Sequence, residues 1–165
     1  MKNVVLVGMP GAGKSTIGVV LAKVLGYEFI DSDIIIQKRE KRLLSEIIRQ
    51  DGIDGFIAIE GDVNAHIEAE RSVIATGGSA IYHEVAMKHF RDTAQIVYIK
   101  LSYETLVTRL GDLKQRGVVL REGQTLYDLY EERNPLYEKY ADIIVDGEGK
   151  TVEQLMIAIK EKLNL

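Results

Sequence analysis

Asn3-Val4-Val5-Leu6-Val7-Gly8-Met9-Pro10-Gly11-Ala12-Gly13-Lys14-Ser15 decides the fold. Residues 3–7 are an apolar, β-branched run of strand length, and residues 8–15 fit the phosphate template G-x-x-x-x-G-K-[ST] at every fixed position. Residues 15–25 follow with Ile17, Val20, Leu21, Val24 and Leu25 at helical spacing, which predicts one buried face. Strand, glycine loop and helix stand in the order a phosphate cradle needs. Backbone N–H groups of the glycine-rich turn surround phosphate oxygens, Lys14 adds a point charge, and the Ser15 hydroxyl is a ligand for Mg²⁺. The helix N-terminus directs its partial positive charge at the same anion. A glycine turn with a chance lysine is the competing reading, and the flanking elements argue against it.

The chain has 165 residues, a size that suits one domain spanning 1–165 and buries roughly two-thirds of its unfolded surface. It contains no cysteine, which excludes disulfides and thiolate metal sites. A formal charge of -4 without a basic stripe argues against nucleic acid as a partner. Lys38, Arg39, Lys41 and Arg42, broken by Glu40, read as a solvated helix face. No apolar segment approaches the ~20 residues of a membrane span, and the first apolar run is too short for a signal peptide. A cytoplasmic monomer is therefore expected, located where its nucleotide is. His66, His83 and His89 lack metal-like spacing and are expected at the surface.

Strand patterns at 3–7, 27–31, 73–75, 96–99 and 143–145 alternate with helical patterns at 34–40, 43–50, 56–69, 103–110, 126–140 and 152–163. Short apolar strands alternating with helices predict a central parallel five-stranded sheet covered on both faces, a three-layer α/β fold. Ligands then gather at the carboxyl ends of the strands. Those ends carry the phosphate loop, Asp31-Ser32-Asp33 and Thr76-Gly77-Gly78-Ser79.

Each of these stretches admits two readings. A lone Asp at a strand-to-helix junction is an N-cap, but two carboxylates beside a phosphate site can divide the work. One then holds hydrated Mg²⁺ while the other orients or deprotonates an attacking hydroxyl. Gly77-Gly78 is either a tight turn or a place where a ligand reaches the backbone. Residues 111–124 form a polar, glycine-punctuated connection of the length expected of a mobile lid. Arg116 within it is either an exposed arginine or one that closes over a transferring phosphoryl group.

The phosphate loop, Asp31-Ser32-Asp33, Val73-Ile74-Ala75-Thr76-Gly77-Gly78, Val97-Tyr98-Ile99-Lys100-Leu101 and the segment from Arg133-Asn134-Pro135-Leu136-Tyr137 to Asp142 together resemble the ordered motifs of the shikimate kinase family. The resemblance runs through essentially the whole chain. It implies an adenylate-kinase-like α/β/α fold that transfers the γ-phosphoryl group of ATP to a ring hydroxyl of shikimate. It further implies that Gly11, Ala12, Gly13, Lys14, Ser15 and Thr16 hold the nucleotide phosphates, with Mg²⁺ at Ser15 and, through water, at Asp31. Asp33 and Gly78 bind substrate hydroxyls, Arg133 grips the substrate carboxylate, Arg116 is the lid arginine and Arg109 lies against the adenine. The acceptor helices then fall at about 33–70.

Several positions depart from that pattern. The family has glutamate at the position of Ile53, arginine at Ile57 and a third glycine at Ser79, and its Arg-Pro-Leu-Leu lid segment is Arg116-Gly117-Val118-Val119. Loss of an arginine–carboxylate pair removes about 1.5–3 kcal/mol, roughly ten- to a hundredfold in affinity. Arg49 is a candidate replacement. Glu60, which in the family pairs with the missing arginine, either faces solvent or lines the pocket, where it favours an acceptor carrying an amine or only hydroxyls. The functional classes in play are a shikimate kinase or relative using another small hydroxylated metabolite, a nucleoside-monophosphate or polyol kinase, and a nucleotide switch without catalysis. Retention of Asp33 and Arg116 argues against the switch, and the motifs of the second class are not visible in the sequence.

Overall fold

The computed structural model describes residues 2–111 and 118–165. At its centre, β1 (Asn3–Val7) is buried along its whole length. It lies inside a five-stranded sheet of order β2-β3-β1-β4-β5, with β2 at Glu28–Asp31, β3 at Ser72–Ala75, β4 at Ala94–Lys100 and β5 at Ile143–Asp146. Every pairing is parallel. Successive side chains of a strand point to opposite faces, so full burial of Val4, Val5, Leu6 and Val7 requires cover on both sides. Each such side chain contributes about 1.5–3 kcal/mol on leaving water.

Seven helices supply the cover among the described residues: α1 (Lys14–Leu25), α2 (Ser32–Glu40), α3 (Leu44–Ala65), α4 (Glu84–Thr93), α5 (Tyr103–Arg109), α6 (Leu126–Tyr140) and α7 (Val152–Lys162). The chain leaves β1 toward β2 and β3 on one side and β4 and β5 on the other. The topological switch therefore sits at the carboxyl end of β1, where a ligand crevice is expected. Register aligns the rim: Leu6 pairs with Ala75, and Ala75 pairs with Asp31. The loop after β1, the turn after β3 and the end of β2 meet there.

Local differences from the sequence reading have identifiable causes. The buried face of α1 is Lys14, Ile17, Gly18, Leu21 and Ala22, whereas Val24, expected on it, is exposed. The two helices expected at 43–50 and 56–69 are present as the two halves of α3, separated by a non-helical Gly52 at φ 76° and ψ 176°, so the second begins earlier than expected. That element stops at Ala65 because the following chain is held otherwise. The Ile67 carbonyl meets Nε2 of His89 at 2.8 Å, and the Ala69 carbonyl accepts from Asn3 Nδ2 at 2.7 Å. Helix α4 was not anticipated: only Ala86, Met87 and Phe90 form its buried stripe, and its cap is the imidazole of His83. His83 and His89 are thus partly buried structural residues, and only His66 is at the surface as expected.

Ile36, Ile47, Phe56 and Val63 of α2 and α3 form a second small core, and Val119, from the connection before α6, is buried among them. Gly61 fixes how α3 meets His83. A Cβ there would lie 2.0 Å from the imidazole, so Gly61→Ala must displace the ring that accepts from the Ala86 N–H at 3.2 Å. Alanine favours a helix by about 1 kcal/mol over glycine, and the clash outweighs it. A fall in Tm of several degrees is expected by calorimetry, and an unchanged Tm would refute the contact.

Candidate active site

The phosphate loop turns sharply because Gly13 adopts φ 90°, a left-handed conformation that glycine takes without strain, immediately before α1. Lys14 is buried under the loop, where its Nζ donates to the carbonyls of Gly8 at 2.6 Å and Met9 at 2.9 Å. Burial lowers its pKa to about 8, with Asp33 opposing the shift. The next residue, Ser15, donates from Oγ to Asp31 Oδ2 at 3.1 Å. The other oxygen of Asp31 caps α2 by accepting from the Asp33 N–H at 3.0 Å. Asp31 is therefore an N-cap that also lies beside the phosphate loop.

Asp33 sits in the first turn of α2 and faces the cleft. Its Oδ1 is buried and has no hydrogen-bond partner among the described residues. Burial, together with the neighbouring Asp31 carboxylate, raises its pKa to about 6, against the pull of Lys14. A carboxyl group held in this range accepts a proton near neutrality far better than an ordinary aspartate.

The opposite wall comes from α6. Arg133 is 1% exposed, its guanidinium lies over the Tyr82 ring at 5.3 Å, and its Nε donates to the Tyr82 hydroxyl at 3.3 Å. No carboxylate approaches it within ion-pairing distance among the described residues. One turn further on, Tyr137 donates to the Gly78 carbonyl at 2.6 Å and so fixes the turn after β3. Gly78 is required for close approach: a Cβ would stand 2.7 Å from Arg133 Nη1 and 2.8 Å from Pro10 Cδ.

These groups enclose a cleft of about 380 Å³ lined by Gly11, Gly13, Lys14, Ser15, Thr16, Asp33, Gly78 and Arg133, eight of the residues expected from the sequence. Ala12 is buried within the same loop. Arg109 donates to the Gly11 carbonyl at 3.4 Å, beside the loop. Arg116 lies outside the described residues, as does the rest of 112–117 within the stretch at which the lid was expected.

Glu60 faces the cleft and not solvent. It is 1% exposed and accepts from Ser79 Oγ at 2.6 Å through Oε1. Burial raises its carboxyl to about 7 despite that hydrogen bond. Ile53 and Ile57 border a separate space of about 30 Å³ that Arg133 also borders. Arg49 is exposed and does not line the cleft. Tyr82 and Tyr137 escaped the sequence reading as site residues, and Ser79 entered it only within a strand-end stretch and as a departure from the family's third glycine. The i, i+4 spacing of Arg133 and Tyr137 on a helix was the available signal for Tyr137.

Comparison with known proteins matches residues 10–164 to the family model described as shikimate kinase. The chain belongs to the shikimate kinase family. The shikimate kinase of Moorella thermoacetica is 34% identical over 163 residues, covering 98% of this chain and 94% of the relative. That of Francisella tularensis subsp. novicida is 37% identical over 159 residues, covering 94% and 90%. Among solved structures, the Acinetobacter baumannii shikimate kinase in complex with shikimate superposes with a TM-score of 0.87 at 30% identity, covering 99% of this chain and 96% of that one. The Aquifex aeolicus shikimate kinase gives 0.81 at 32% identity, covering 96% and 94%. As a shikimate kinase family member the chain is an ATP-dependent small-molecule kinase with an α/β P-loop fold.

Proposed function

We propose that this chain, one domain over 1–165, transfers the γ-phosphoryl group of ATP to a hydroxyl of shikimate with Mg²⁺ as the metal. The observation that carries the acceptor's class is Arg133, a buried guanidinium that borders the cleft without a carboxylate partner. Burying a cation unpaired is costly, and a ligand carboxylate supplies the missing charge. Asp33 lies in the same cleft to receive a hydroxyl, and Lys14 with the loop N–H groups receives the phosphates. Ser15 Oγ and Asp31 Oδ2, 3.1 Å apart, are both hard oxygen donors. They suit an ion that keeps most of its shell from water and phosphate. Mg²⁺ there supplies charge neutralisation across the phosphate oxygens.

Transfer is then a matter of alignment. The acceptor oxygen attacks the γ-phosphorus in line, the bond from that phosphorus to the bridging oxygen breaks to leave ADP, and Asp33 accepts the hydroxyl proton. Gly11 to Thr16 hold the phosphates, Gly78 lets the acceptor approach the backbone, Arg109 borders the adenine and Arg116 supplies lid charge. A small-molecule acceptor is sufficient. No described helix is long and apolar enough to cross a membrane.

Coupled ADP release with shikimate tests this reading directly. Arg133→Met, which keeps volume and removes the charge, is expected to raise KM for shikimate by ten- to a hundredfold with unchanged KM for ATP. Tm should hold or rise, because an unpaired buried cation is replaced by an apolar chain. An unaltered shikimate KM would exclude Arg133 as the carboxylate partner.

A further inference from the structure

Phosphoryl transfer as described uses one carboxyl group of the acceptor wall, and the cleft holds two. Glu60 engages Ser79 through Oε1 alone; its Oε2 is buried and has no hydrogen-bond partner among the described residues. Asp33 Oδ1 is in the same condition. Both oxygens pack against one residue of the cleft wall, Gly77, where an added Cβ would lie 2.7 Å from Glu60 Oε2 and 3.0 Å from Asp33 Oδ1. Two buried acceptors converging on one glycine in the wall of a ligand cleft call for a donor, since each left unpaired costs free energy that a bound N–H or O–H removes.

Among the described residues, the cations nearest the pair do not fill this role. Lys14 is turned to the Gly8 and Met9 carbonyls, and Arg133, although near enough to act on Glu60 through space, forms no ion pair with it. Along α3, the residues one turn to either side of Glu60 are Phe56, Ile57, Val63 and Asn64, none of them charged. Ser79 holds Oε1, so Oε2, beside Gly77, is the oxygen left without a partner among the described residues. The cleft therefore presents a cation on one side, at Arg133, and two carboxyl oxygens on the other. A ligand with a carboxylate at one end and an ammonium group near its reacting hydroxyl satisfies both.

We propose that Glu60, oriented by Ser79, forms with Asp33 an ammonium-binding subsite, so that the enzyme also phosphorylates hydroxylated ring acids in which an amine replaces a non-reacting hydroxyl. The inference rests on the shikimate phosphorylation reading, since it keeps the same carboxylate grip and the same phosphoryl transfer. Glu60 is here a specificity-determining residue; the reacting hydroxyl stays with Asp33.

The probes are shikimate and its 4-amino and 5-amino analogues, compared by ADP release in the wild type, Glu60→Gln and Ser79→Gly. At least one amine is expected to match or exceed shikimate in kcat/KM. Glu60→Gln should lower the ratio of amine to shikimate kcat/KM tenfold or more, and Ser79→Gly should lower it in the same direction by less. Wild-type kcat/KM for both amines tenfold or more below that for shikimate, or a ratio unmoved in Glu60→Gln, would overturn the subsite. Turnover of shikimate alone removes only the subsite and leaves the phosphorylation reading intact, whereas ADP release with none of the three removes both. If Glu60→Gln does not fold, the wild-type comparison decides by itself.

Discussion

Asp33→Asn is expected to lower kcat by about 10²- to 10⁴-fold while ATP affinity stays within about threefold of wild type. The substitution keeps shape and removes the capacity to take a proton, so it isolates the proposed role in activating the acceptor hydroxyl. The loss must be separated from unfolding, and the electrostatics of the site allow that. Burial and Asp31 raise the folded pKa of Asp33 to about 6, above the ordinary 3.8. The native state then binds more protons than the unfolded chain between those values. The stability Asp33 contributes is present in full below about pH 3.8 and is lost as pH rises through about 6. At pH 7 its ionised form is held at a cost that asparagine does not carry. The variant is thus expected to melt at a higher temperature than wild type at pH 7, with the difference fading toward pH 4. Inactivity with undiminished Tm supports the assignment; kcat near wild type would remove Asp33 from the chemistry and leave a nucleotide binder.

What the sequence made legible follows from how local each determinant is. The phosphate loop is specified by eight consecutive residues, and the apolar runs of β1 and β4 announce buried strands; the sheet and its rim follow from them. Asp31 and Asp33 were legible as a pair because a strand end beside a phosphate site restricts what two carboxylates do. Helix α4 was obscured since its stripe is short and its cap is a histidine, a residue with no strong capping preference. The end of α3 was misplaced because Ile67 and Ala69 continue a helical pattern while their carbonyls are claimed by His89 and Asn3, residues distant in sequence. Glu60 shows the same limit at the site. Its spacing on a helix left pocket and solvent equally open, and the contact that decides, Ser79, comes nineteen residues later through the turn after β3. Propensity and periodicity see neighbours along the chain, whereas burial of a single polar side chain is settled by tertiary packing.

Lys14→Met is expected to produce the other large loss, and to produce it differently. Its kcat should fall by about 10³-fold, equivalent to about 4 kcal/mol of transition-state stabilisation, and ATP affinity should fall with it. The charge of Lys14 acts on phosphate oxygens both before and during transfer, so ground state and transition state each lose a partner. Removal of Asp33 touches only the acceptor's proton, which is why ATP binding separates the two variants. Burial has lowered the Lys14 pKa to about 8 without ligand, and an arriving phosphate favours the charged form. Proton uptake on ATP binding is therefore expected to increase from pH 7 to pH 8.5 in wild type and to be absent from Lys14→Met, read by titration calorimetry in buffers of different ionisation enthalpy. Methionine retains the length of the side chain and its burial under the loop, so a folded variant without that uptake identifies the ammonium group as its source. Equal uptake in both proteins would assign the titrating group elsewhere and would break the link between Lys14 and the phosphates on which the catalytic reading of the cleft depends.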